Sequence, residues 1–86
     1  MTSDRALIEA RLRGYLAERH GLNEADLLDD PPLLRLLGSM GVLELVIFLQ
    51  REFELSLAPQ SMSPGNLGTL ARAVDFVESL VSATRT

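Results

Sequence analysis

Between Ser39 and Glu54 the chain carries more apolar residues than one helix face can hold. Val42, Leu45, Val46, Leu49 and Phe53 fall at spacings of three and four, the period of an amphipathic helix. Met40, Leu43 and Ile47 make a second stripe at the same period on another side, and Phe48 adds to the surplus. Glu44, Gln50, Arg51, Glu52 and Glu54 supply the polar positions. One stripe is enough for the core of a small bundle. The second is either covered by the chain's own loop or left bare for a partner, and periodicity does not choose between the two. A bare apolar patch rimmed by charge marks an interaction site.

The rest of the chain is helical in pattern too. Ile8, Leu12, Tyr15 and Leu16 lie on one stripe of a helix expected from Asp4 to Arg19, with Ser3 or Asp4 as its cap. Arg19 and His20 suit its last turn, and Gly21 suits a left-handed stop. Leu22 to Gly38 reads as a long connection. Asn23-Glu24-Ala25-Asp26 can start a short turn, Leu27 and Leu28 are expected to dip into the core, and Pro31-Pro32 breaks any regular element. Leu33, Leu34, Leu36 and Leu37 are too apolar for a free loop and should cover the helix ends. After a second loop with Pro59, Ser63-Pro64 predicts a short helix, and Thr69 predicts the cap of a last helix to about Ser82. Leu70, Val74, Val77 and Leu80 give that helix its stripe, and the tail from Ala83 is expected to fray. The expected fold is all-α: a four-helix bundle of three long helices and one short one, with a long first loop, forming one domain over residues 1–86.

Composition narrows the chemistry. The 86 residues are 47% hydrophobic, ample for a core, and carry a formal net charge of −4. That charge disfavours nucleic acid, whose phosphates need a basic face. There is no cysteine, so no disulfide framework or thiolate metal site is available. The single histidine, His20, has no second ligand or nucleophile near it in sequence and reads as a helix-end residue. The acids Glu24, Asp26, Asp29 and Asp30 do not have calcium-loop spacing and read as a solvated surface. No nucleophile–base pair or metal cluster can be assembled, so an enzyme is not expected, and neither is a catalytic or metal-binding residue. The polar start of the chain and the lack of a long uninterrupted apolar run lead to the expectation of a cytoplasmic protein with no membrane span.

Ser39 stands at the head of the overly apolar helix, after Gly38 and before good helix formers, as an N-cap does. Unpaired backbone N–H groups and the positive end of the helix dipole meet there, which favours a phosphate. With this in view the chain resembles the acyl carrier protein family, which spans fatty-acid, polyketide, peptide-synthetase and stand-alone aminoacyl carriers. The resemblance covers nearly the whole chain. It runs through Gly38-Ser39-Met40, Leu43-Glu44-Leu45-Val46 and Gln50-Arg51-Glu52-Phe53, then Ser63-Pro64 and Leu67-Gly68-Thr69-Leu70 through Phe76-Val77. The run SMGVLELVIFLQREF looks most like stand-alone carriers of specialised or aminoacyl pathways.

The resemblance implies a specific function. Ser39 would hold a 4′-phosphopantetheine arm through a phosphodiester, with Gly38 and Met40 flanking the attachment point. The thiol of the arm would carry an acyl or aminoacyl group as a thioester. Met40, Leu43, Glu44 and Ile47 fall at the family's docking positions, which tilts the second stripe toward exposure. The implied partners are a phosphopantetheinyl transferase, an acyl- or aminoacyl-activating ligase and a downstream transferase or synthase, met by a monomer. Two departures stand out. The family usually has aspartate before the serine, where it takes part in recognition by the transferase, and here Gly38 replaces it. Gln50 and Arg51 stand where many carriers are acidic. The first departure motivates a second reading, an interaction module that keeps the carrier fold and is never modified.

Overall fold

Ile8, Leu12 and Leu16 recur every fourth residue along the first helix and are all buried, which fixes which side of it faces inward. The computed structural model describes residues 4–57 and 63–84. It contains α1 (Asp4–His20), α2 (Glu24–Leu27), α3 (Leu33–Glu52), α4 (Pro64–Leu67) and α5 (Leu70–Thr84), and no strand among the described residues. Ser3, Pro59 and residues 85–86 lie outside the described residues. The globule measures 35 × 33 × 20 Å. Leu33, Leu45, Val46 and Leu49 of α3 and Leu70, Ala73, Val74 and Val77 of α5 complete the core with the α1 stripe, and α2 and α4 each add one leucine, Leu27 and Leu67.

Local chemistry sets the helix ends. Gly21 adopts φ 66° and stops α1, its N–H bonding back to the Ala17 carbonyl. Asn23 caps α2 reciprocally: its side chain accepts from the Asp26 N–H, and the Asp26 carboxylate accepts from the Asn23 N–H. The Ser63 carbonyl accepts from the N–H groups of Asn66 and Leu67, and Pro64 opens α4 as the sequence predicts. Thr69 caps α5 through its hydroxyl, which accepts from the Arg72 N–H at 3.2 Å.

The first connection differs most from expectation. It contains two helical pieces, α2 and the start of α3, and α2 with α4 makes two short helices where one was predicted. Residues 30–32 lie in no helix, as Pro31-Pro32 predicted, but Pro32 does not prevent a helix from following it. It sits just before α3 with extended dihedrals (φ −60°, ψ 127°), leaving Leu33 free to begin the helix. The connection is also tied down. Leu33 N–H donates to the Gly68 carbonyl at 2.8 Å, and Asp30 Oδ1 accepts from the Ala71 N–H at 3.1 Å. Asp30 is therefore a second cap of α5 rather than a solvated acid. Its φ of 49° is a conformation aspartate tolerates. At the other end of the chain, the last helix runs further than expected, because Ala83 and Thr84 are still helical.

Taken whole, α3 is long and apolar enough to cross a membrane, with a mean hydropathy of 1.7 in its best window. The proline and glycine on either side of 33–37 hid this at the sequence level. The helix is bent at Gly38, however, and the straight part, 39–52, spans only about 21 Å, short of the roughly 30 Å of a bilayer core. Leu45, Val46 and Leu49 in that part are buried within the protein.

Candidate functional site

Gly38 is the one residue inside α3 with non-helical dihedrals, φ 75° and ψ 170°. This region is open essentially to glycine alone, because a Cβ on an L-residue there meets its own backbone. The glycine lets the chain finish the turn at 33–37, change direction, and start again at Ser39. Ser39 is consequently the first residue with helical dihedrals after the break, and Gly38 rather than Ser39 takes the capping position. This corrects the expected N-cap role of the serine. Ser39 is exposed, and its hydroxyl bonds to no other described residue. It lies beside the first N–H groups of segment 39–52, at the positive end of that segment's dipole. Nothing lies within 4 Å of where a Gly38 Cβ would be.

The second apolar stripe is bare. Met40 is 69% exposed and Leu43 and Ile47 are each 46% exposed. Of the two destinations left open by periodicity, the structure has these three side chains in solvent while Leu45, Val46 and Leu49 fill the core. Val42 and Phe53 of the core stripe are only half-buried. Leu28 and Leu34 are also exposed, which corrects the expectation that Leu28 enters the core and that Leu34 covers a helix end.

Glu44 is not free. Arg19 of α1 donates to its Oε2 from both Nε (2.9 Å) and Nη2 (2.7 Å). This contact, with the field of the carboxylate, holds the Arg19 guanidinium above its ordinary pKa. Arg11 and Glu52 form a second ion pair between α1 and α3. Between the two pairs the Tyr15 and Phe48 rings stack, with centroids 4.2 Å apart and planes inclined by 21°. Burial first, and Glu44 second, raise the Tyr15 phenol above its usual pKa, with Arg19 opposing. Tyr15, Arg19, Glu44, Phe48 and Glu52, with Ile47 and Arg51, line a groove of about 260 Å³. Sequence periodicity places Tyr15 and Phe48 on their helices but carries no signal that they meet across them. Gln50, by contrast, has a structural job: its Oε1 accepts from the Leu57 N–H at 3.1 Å and holds the chain leaving α3.

His20 packs against Gly41, near the start of the same segment. A Cβ at Gly41 would lie 2.7 Å from Leu37 Cβ and 3.2 Å from His20 Cε1. The Tyr15 ring meets the imidazole edge-on, with centroids 5.8 Å apart, and Nε2 is buried without a hydrogen-bond partner. The histidine thus acts as packing between α1 and α3. Among the described residues, no group of three or more His, Asp or Glu side chains could hold a metal ion.

No protein-family model matches the chain, and no solved structure matches it significantly.

Proposed function

We propose that this protein is a carrier of the acyl carrier type, with a carrier-type helical bundle and Ser39 as the attachment point of a 4′-phosphopantetheine arm. The observation that carries the reading is an exposed serine whose hydroxyl is unengaged, at the restart of a helix whose next exposed residues, Met40, Leu43 and Ile47, form an apolar stripe. The arm, when bound, supplies the thiol on which an acyl or aminoacyl group travels as a thioester. Ser39 supplies the hydroxyl oxygen of the phosphodiester. The backbone N–H groups and dipole at the start of segment 39–52 favour the resulting anion by about 0.3–1 kcal/mol at an exposed site. Met40, Leu43, Glu44 and Ile47 form the surface on which a transferase, an activating ligase and a downstream transferase or synthase dock in turn. The chemistry of the chain is consistent with such cargo. All 8 of its basic residues are arginine and it has no cysteine, so no amine or thiol side chain is present to intercept a thioester.

Gly38 favours one competing reading, a carrier-fold interaction module that is never modified, because the residue expected to help transferase recognition is missing. Intact-mass measurement after incubation with coenzyme A and a broad-specificity phosphopantetheinyl transferase separates the two. The carrier reading expects the mass of one phosphopantetheine on the native chain and none on Ser39→Ala. A chain that gains no mass, or an addition that survives Ser39→Ala, refutes it.

A further inference from the structure

Met40, Glu44, Ile47 and Arg51 follow one another at spacings of four, three and four, so they form a single line along α3. The line starts beside Ser39 and ends in the groove between α1 and α3. The aromatic wall of that groove is the Tyr15–Phe48 stack, and Ile47 adds an aliphatic side at its mouth. Its two carboxylates are already engaged from within the chain, Glu44 by Arg19 and Glu52 by Arg11. Arg51 is different. It is exposed, and no described residue pairs with it. A chain of net charge −4 therefore presents one uncompensated guanidinium beside its apolar groove.

We infer that this groove receives an apolar side chain of a partner protein flanked by a carboxylate, the carboxylate meeting Arg51. A guanidinium fork suits a carboxylate in geometry as well as charge. A partner surface rimmed by lysine or arginine finds no free acid here, and its charge is repelled by Arg51. Complementary charge at the rim of an apolar contact selects partners and speeds their encounter. The inference rests on the reading of this face of α3 as a docking surface. It does not depend on modification of Ser39.

The test uses the unmodified, ¹⁵N-labelled protein and two synthetic helical peptides. Both share a leucine–phenylalanine face; one is rimmed with glutamate and the other with lysine. The glutamate peptide should shift the amide signals of Ile47, Phe48 and Arg51. Arg51→Glu should weaken its binding about two- to fivefold, the range for one exposed ion pair, and the milder Arg51→Gln should fall between. The inference is overturned if the lysine peptide moves these signals at equal or lower concentration. In that case the docking reading of Met40, Leu43 and Ile47 still stands. If neither peptide moves any signal on the stripe, both fail together, and the intact-mass result at Ser39 is unaffected.

Discussion

Replacing Gly38 by alanine isolates the backbone at the start of the candidate site. The new Cβ meets nothing within 4 Å, so no packing is disturbed. What changes is that a residue with a side chain must hold φ 75° and ψ 170°. Residues forced into such regions are destabilised by about 1–3 kcal/mol. Against this stands the smaller entropy of the unfolded alanine chain, about 0.4–1 kcal/mol. The net destabilisation is about 1–2 kcal/mol, a fall in Tm of roughly 4–16 °C for a domain of this size. Gly14→Ala is the matched control. Gly14 also has nothing within 4 Å of its missing Cβ, yet it lies within α1 with ordinary helical dihedrals. There the same substitution should stabilise by about 1 kcal/mol. Thermal and urea unfolding followed by circular dichroism reads both. Opposite signs are expected for one chemical change at two open sites. A Gly38→Ala protein as stable as the parent, or more so, refutes the bend and with it the placement of Ser39 at a helix restart.

Asp30→Ala removes a long-range cap of α5 and puts alanine at φ 49°, so a loss of about 1–2 kcal/mol is expected in urea unfolding, with Asp30→Asn recovering most of it. Gly41→Ala drives a methyl group against Leu37 and His20; overpacking of about 1–3 kcal/mol outweighs a helix-propensity gain of about 1 kcal/mol, and a more stable variant would contradict the close packing. Tyr15 is the only tyrosine, so tyrosinate absorbance reports it alone. Its raised pKa favours the neutral phenol in the fold, so this contribution to stability is complete below the unfolded value of about 10 and is lost as pH rises through the folded value. The titration midpoint should lie above about 10 and fall in Glu44→Gln; a midpoint at or below 10 in the native protein would contradict its buried setting.

Periodicity was a sound guide wherever one helix met the core. Ile8, Leu12 and Leu16, Leu45, Val46 and Leu49, and Leu70, Val74 and Val77 are buried, while Tyr15, Val42, Phe53 and Leu80 of the same stripes are only half-buried. Thr69 was legible as a cap because it adjoins its helix, but Ser39, equally close in sequence, yields the capping position to Gly38. The first connection was not legible. Its fold depends on Asp30 reaching Ala71 and on Leu33 reaching Gly68, pairings between distant residues that no local pattern announces. Pro31-Pro32 and Gly38 each looked like punctuation ending structure. Both are: no helix runs through residues 30–32, and at Gly38 the helical stretch 33–37 ends before another starts at Ser39; what went unread is that 33–37 is itself helical. The groove was illegible for the same reason as the connection, because the Tyr15–Phe48 stack and the arginine–glutamate pairs join two helices far apart in sequence.

Both departures from the pattern of the proposed carrier family, Gly38 and Gln50-Arg51, have a physical counterpart in the fold, Gln50 by holding the Leu57 N–H. At position 38 the backbone takes a conformation that an aspartate could hold only under strain, so the missing carboxylate follows from the bend and need not reflect the loss of an attachment function. At Glu44 the acid is retained but bound by Arg19, so a partner that reads a negative charge there must first displace an intramolecular guanidinium. Gly38 and the Arg19–Glu44 pair both lower the negative charge around Ser39, one by lacking a carboxylate and one by pairing it, while Arg51 adds a positive charge. On the proposed carrier reading, a transferase or ligase meets the apolar line of Met40, Leu43 and Ile47, with no unpaired Glu44 carboxylate beside it. Gly38→Asp distinguishes the roles of charge and shape. If the carboxylate itself limits recognition, the variant is modified faster than the parent despite its lower stability. If the bend presents the serine, modification slows as the strained backbone shifts Ser39 from the helix start.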